Sequence, residues 1–194
     1  MNTDCIRKYE HFSHVSSVEY LLQLLHLQDI DWLRKPLFQG LATSAVAGSE
    51  GLIRSSRSAL VRSIQETGQE TAAMAIIKDL MSILSENLQD DRYAIPVLEL
   101  LAFLLDGFVC SIPDESVPRY TFSIQDLGGK LTSPSLRRLF VLVQKAHFKS
   151  SNIARLEAAV RTYAPLSRIE QLHAEVLKKM TAMLLHPFPR VSLT

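Results

Sequence analysis

The sequence predicts an all-α protein, an α-solenoid of antiparallel helix pairs. Three observations predict it. Apolar residues recur at three- and four-residue spacing along most of the chain. Capping residues, glycines and prolines punctuate it at intervals of one helix. Sustained period-two alternation is missing, as are Asn-Gly or Asp-Gly turns between β-branched runs.

The elements follow in order. Ser16, three before Glu19, makes a capping box, and Val18, Leu21, Leu22 and Leu25 then share one face. The next helix should have a loose first turn at Asp31-Trp32. Its regular part should start at Pro36, because an interior proline loses a hydrogen bond and clashes, and it should run to about Ala47. Gly48-Ser49-Glu50 breaks the chain, and a third helix places Ile53, Leu60 and Ile64 on one stripe. Thr67 to Glu70 is a second capping box, opening a helix with Ala73, Ile76, Ile77, Leu80 and Leu84 at core spacing.

Asp90-Asp91 caps a long helix from Tyr93 to Cys110. It is apolar nearly all round and should be the most buried. Ser111 to Arg119 reads as a loop, and Arg119 to Leu127 as a shorter helix ended by Gly128-Gly129. Ser133 is an N-cap with Pro134 behind it, followed by a stripe of Leu136, Leu139, Phe140 and Val143. Ile153, Leu156, Val160 and Tyr163 form another stripe, stopped by Pro165. Ser167 to Glu170 is a third capping box, with Ile169, Leu172, Val176, Met180 and Met183 as its stripe. Roughly eight to ten helices result, too irregular to show a period, as is usual for HEAT and armadillo-like arrays.

Composition narrows the function. Lys and Arg total 21 against 20 Asp and Glu, so no global field draws in nucleic acid or an anionic membrane. The hydrophobic fraction of 47% favours a packed chain over disorder. Cys5 and Cys110 make no metal-type spacing and read as free thiols of a cytosolic protein. Met1 to Glu10 lacks the apolar core of a secretory signal, and the longest apolar run, Val97 to Cys110, carries Glu99 and Asp106 and is too short to span a membrane.

Few residues offer chemistry. Gly128-Gly129-Lys130-Leu131-Thr132 has the outline of a phosphate loop, but Ile124 stands at the earlier glycine position and Leu131 at the magnesium-binding hydroxyl. A helix end and turn explain it better. His11 and His14 near Cys5 have no second ligand pair, so neither a metal nor a cofactor is expected. There is no nucleophile elbow. His26, His147, His173 and His186 read as boundary residues of different helices. Glu99 and Asp106, seven apart, could form a buried acid pair. The solvent-facing edge of a buried helix is preferred, since unpaired buried carboxylates are costly. No catalytic residue is expected.

Arg54, Arg57 and Arg62, with Ser55, Ser56, Ser58 and Ser63, give one helix a basic, hydroxyl-rich surface suited to an acidic protein partner. Glu50 is placed to cap the same helix at its positive end. An ordinary solvated face is the plain alternative.

The order Gly40-Leu41-Ala42, Ser44, Glu50, Arg54, Ser56 resembles the signature near the start of the C-terminal domain of tubulin-folding cofactor D, a large HEAT-repeat tubulin chaperone. Val46 and Gly51 depart from it, where glycine-like residues and Ser are commoner. Ile95 to Leu101, Leu136 to Val143, and Leu172 to Leu185 with His186-Pro187-Phe188-Pro189 resemble later family helices in order, covering about Trp32 to Val191. Residues 1–30 then stand as an N-terminal segment with one amphipathic helix, 31–191 as the cofactor-D-like helical-repeat domain, and 192–194 as a tail. The chain should be a fragment or truncated gene model, because a helix is due where it stops. The resemblance implies binding to β-tubulin and α/β-tubulin. It also implies work with cofactors C and E and an Arf-like small GTPase in assembling or dismantling the heterodimer, with GTP hydrolysed on tubulin. It implies a cytoplasmic, microtubule-associated protein that supplies a surface, here Arg54, Arg57, Arg62 and Glu50, and no catalytic residue. The rival is a HEAT-type scaffold for another complex.

Overall fold

The computed structural model describes residues 17–66, 69–109 and 133–185. They contain eight α-helices and no strand. The fold class is all-α, of the helical-repeat type, and the helices form two compact units, Met1–Gln69 and Glu70–Thr194.

In the first unit α1 (Ser17–Leu25) leads through a 3-10 turn (His26–Asp29) to α2 (Asp31–Ala47) and α3 (Glu50–Glu66). Leu22 and Leu25 of α1 are buried, with Val18 and Leu21 half-buried on the same face. α3 packs on both α1 and α2. Its core row is Ser56, Ala59, Leu60, Ser63 and Ile64, against Phe38, Leu41, Ala42 and Ala45 buried on α2.

α2 starts five residues before the expected Pro36. The Ile30 carbonyl accepts from the N–H groups of Leu33 and Arg34 at 2.9 and 3.1 Å, which nucleates the helix upstream. Pro36 cannot donate to the Trp32 carbonyl, yet it is itself exposed and Trp32 is 75% exposed, so water can take the missing donor's place.

Gly48 ends α2 where a side chain has no room: a Cβ would lie 2.9 Å from the Ser44 carbonyl oxygen and from the Leu52 side chain. Gly40 and Gly51 of the signature stretch have open space at the same position, so serine in place of Gly51 would change no packing.

The second unit holds α4 (Gln69–Glu86), α5 (Asp91–Leu104) with a π turn (Leu105–Val109), α6 (Ser133–His147), α7 (Ile153–Leu166) and α8 (His173–Leu184). α4 buries Ala73, Ile76, Ile77, Leu80 and Leu84 as the periodicity predicts. α5 is capped by Asp90, whose side chain accepts from the Arg92 N–H at 3.0 Å. Arg92 doubles back on the same carboxylate at 2.8 Å and holds its pKa below the usual value.

α7 sits at the centre, packed on α5, α6 and α8. α6 and α7 run antiparallel: Arg155 reaches the Ala146 carbonyl at one end, and Phe140 meets Tyr163 further along at 5.9 Å between ring centroids. α5 and α7 run parallel, because Leu98, Glu99 and Asp106 meet Thr162, Arg161 and Arg168 in turn.

Three expectations change here. α7, not α5, is the most buried helix, with ten of its 14 residues buried against eight of 14. It has neighbours on three sides, which sequence periodicity cannot count. Pro165 does not stop α7, which runs on to Leu166, since a proline in the last turn still fits helical φ. The third capping box does not form. The Ser167 hydroxyl donates to the Ala164 carbonyl at 2.7 Å, turns follow, and α8 begins at His173. Ile169, Leu172, Val176 and Met183 are nonetheless buried, with Met180 half-buried.

Ser16, Thr67, Cys110, the 111–132 loop and short helix with Gly128-Gly129, and the 186–194 tail lie outside the described residues.

Leu101 is fully buried in α5. Leu101→Asp places an unpaired charge there and should cost about 5 kcal/mol or more, comparable to the whole stability of a marginal unit of about 5 kcal/mol. Circular dichroism and a thermal melt check this: the mutant should lose helicity at room temperature.

Candidate partner-binding surface

The α3 arginines are brought onto one helix but do not share one environment. α3 itself is capped by Ser49, whose hydroxyl accepts from the Leu52 N–H at 3.4 Å. Glu50 is therefore not the cap. Its carboxylate stands one turn ahead of Arg54 and pairs with it at 3.2 Å, both side chains 80% or more exposed. Arg62 pairs with Glu66 at 3.6 Å in the same i,i+4 pattern.

Arg57 is half-buried, and its Nε donates to the Ala45 carbonyl on α2 at 3.2 Å. It ties α3 to α2. The structure thus leaves Arg54 and Arg62 as surface charges, each partly neutralised by its own helix. Ser56 and Ser63 are buried, and the Ser56 hydroxyl has no hydrogen-bond partner, so neither serine contributes to a hydroxyl-rich exterior. The first unit also exposes Tyr20, Leu27, Ile30 and Trp32 around the α1–α2 elbow, an apolar edge that the sequence pattern did not single out.

In the second unit the densest polar chemistry lies along the α5–α7 seam. Arg155 is 5% exposed. Its Nε donates to Asp91 and its Nη1 to the Leu88 and Ala146 carbonyls at 3.0 and 3.2 Å. Asn152, the N-cap of α7, accepts from the Ala154 N–H at 3.0 Å and donates to Asp91 at 2.8 Å. Further along, Arg161 pairs with Glu99 at 2.7 Å, Thr162 donates to the Leu98 carbonyl at 3.0 Å, and Arg168 pairs with Asp106 at 2.6 Å.

Glu99 and Asp106 therefore do not pair with each other. Asp106 is on the exposed edge as expected, with its side chain 61% exposed. Glu99 is only 13% exposed, because the Arg161 guanidinium satisfies it and removes the need for water. Sequence reasoning missed Arg155, Arg161 and Arg168 altogether. A cation inside the Ile153–Leu156–Val160 stripe was the one available signal.

The histidines among the described residues fall at helix boundaries. His26 opens the 3-10 turn, His173 opens α8, and His147 closes α6. The His147 Nε2 lies 2.8 Å from the Tyr163 hydroxyl, with the rings edge to face. Burial, and then the charge of Lys179, lowers the His147 pKa, while burial pushes the Tyr163 phenol well up. This neutral, enclosed pair is a core contact. Cys5, His11, His14 and Gly128 to Thr132 lie outside the described residues, and among the described residues no group of His, Cys, Asp and Glu could hold a metal. No helix among them is long and apolar enough to cross a membrane.

The helices and their surfaces define a helical-repeat protein in which Arg57, Arg155 and Thr162 hold helices to one another. A family model described as tubulin folding cofactor D C terminal matches residues 3–155. The match covers well over half of the chain, and the chain belongs to that family. No curated protein and no solved structure matches the chain.

Two outcomes follow from this geometry. Arg155→Ala leaves two backbone carbonyls without their donor and Asp91 with Asn152 and water, and should lower stability by about 3 kcal/mol. Arg155→Lys should restore little, because an ammonium cannot reproduce the fork that spans three acceptors. Urea unfolding measures both. The second concerns acid. His147 has a folded pKa below its unfolded value near 6.5, so between the two the unfolded chain binds more protons. Its contribution is full above pH of about 6.5 and is lost as pH falls through the lower folded value. His147→Gln should flatten this acid-side slope, as read by unfolding midpoints across the pH range.

Proposed function

We propose that the chain acts as the tubulin-handling part of a cofactor-D-like chaperone. In this reading it binds β-tubulin and takes part in post-chaperonin folding and in assembly and dismantling of the α/β-tubulin heterodimer. It works with cofactors C and E and an Arf-like small GTPase in the cytoplasm, on the microtubule cytoskeleton. It provides a surface and no catalytic residue of its own, and GTP is hydrolysed on tubulin. The observation that carries this reading is the family match over residues 3–155. The exposed Arg54 and Arg62 and the exposed apolar residues of the α1–α2 elbow, all in the first unit, support it, since an acidic partner with apolar contact area suits both.

Immobilised chain should retain purified α/β-tubulin. Arg54→Glu with Arg62→Glu should weaken retention about tenfold at low salt and less at high salt, because exposed charges are screened. Circular dichroism on the double mutant should match the parent, and the neutral pair Arg54→Gln with Arg62→Gln should fall between. Arg57→Glu should instead lower stability by about 1–3 kcal/mol, since it breaks the α2–α3 tie. A folded chain that retains no tubulin at any salt would point to a HEAT-type scaffold for another complex. GTP turnover by the chain with tubulin absent would overturn the non-catalytic reading.

A further inference from the structure

Residues 127–156 contain Lys130, Arg137, Arg138, Lys145, Lys149 and Arg155 and not one Asp or Glu, in a chain whose overall charge is only +1. The structure uses two of these cations internally. Arg155 is consumed by Asp91, and Arg137 reaches across to Glu175 on α8 at 2.9 Å. Arg138, Lys145 and Lys149 are exposed, and among the described residues none has a carboxylate partner.

These three alternate with apolar groups. Arg138, Val141, Lys145 and Phe148 are spaced by three or four residues, so on α6 and the turn beyond it they line one face. Val141 is 36% exposed and Phe148 69% exposed. Lys149 adopts φ of 56°, which turns the chain so that its ammonium lies over the Phe148 ring, 5.3 Å from the centroid. The helical part of this face, from Arg138 to His147, covers about 14 Å of helix axis. On α8 beside it, Lys178 and Lys179 are also exposed without a carboxylate partner among the described residues.

We infer that the outer face of α6 docks an acidic protein segment whose carboxylates alternate with apolar side chains. Charge complementarity selects the acid: three unpaired cations in one row are an unbalanced field that a polyanionic segment neutralises. The interleaved Val141 and Phe148 select a protein over other polyanions. One exposed phenylalanine gives no stacking platform for successive bases, and one valine with one phenylalanine gives too little apolar area for membrane insertion. The inference stands apart from the tubulin reading, because it rests on α6 alone and not on α3.

The test uses the full chain and two labelled synthetic peptides of equal length and charge. One alternates Glu with Leu and Phe, and the other alternates Glu with Ser. Fluorescence anisotropy should show the apolar-bearing peptide binding more tightly, with affinity falling as salt rises. Arg138→Gln with Lys145→Gln should weaken both peptides about tenfold. Phe148→Ala should weaken only the apolar-bearing one, by about fivefold. All these positions are exposed, and an unchanged melting temperature verifies that each variant is folded. Arg54→Gln with Arg62→Gln on α3 should leave peptide binding unaltered, which separates this face from the proposed tubulin contact. The inference is overturned if neither peptide binds, if the α6 variants bind as the parent does, or if single-stranded RNA or anionic vesicles compete more strongly than the apolar-bearing peptide.

Discussion

Taking the Arg155 guanidinium out of water costs several kcal/mol, and the packing of the second unit is arranged to offset that cost. Every acceptor it meets comes from a different place. Asp91 belongs to the first turn of α5, the Leu88 carbonyl to the link before it, and the Ala146 carbonyl to the end of α6. One side chain thereby fixes the start of α7 against two other helices. Asn152 adds the cap and a second bond to Asp91, so that the N-termini of two parallel helices are drawn to a single carboxylate. Negative charge at those N-termini is also favoured by both helix dipoles. The apolar contacts of Leu98, Leu101 and Val160 then follow from a register already set by polar groups.

The first unit is held by different means. α2 and α3 bury small residues, Ala42, Ala45, Ser56 and Ala59, and a two-residue link brings them together. Gly48 permits that link because Ser44 and Leu52 occupy the space a side chain would need. The Arg57 bond to the Ala45 carbonyl closes the pair. Buried polar atoms are partnered in the second unit's seam, whereas the Ser56 hydroxyl is left without a partner.

Most of the fold was legible in the residues. The stripes of α4 and α6 are core rows as periodicity predicts, since periodicity reports faces, and Leu156, Val160 and Tyr163 of the α7 stripe are buried too. The errors lie where a backbone group had two possible partners. Ser167 could cap a new helix or bond back to Ala164, and it bonds back. Pro36 could open α2 or lie inside it, and the solvent that reaches Trp32 tolerates the inside position. The candidate surface was less legible. Arg54, Arg57 and Arg62 are adjacent in sequence pattern, but Arg57 donates to a carbonyl on the neighbouring helix, a fact that belongs to tertiary packing. The long-range pairs Arg161–Glu99 and Arg168–Asp106 bridge residues about sixty positions apart, where local spacing carries no information.

The α5–α7 seam changes in character along its length. By side chain, Arg155 at its start is 6% exposed against 46% for Asp91, Glu99 in the middle 13% against 52% for Arg161, and at the far end Asp106 and Arg168 are 61% and 38% exposed. Each of the first two pairs therefore keeps one partner shielded from water, whereas the last pair shields neither. Its pairs also recur at intervals of about two helical turns on both helices, so a slip of one turn would set charges against alkyl groups. The paired charges act as a ratchet against sliding, with the most enclosed cation, Arg155, at the clasp on Asp91.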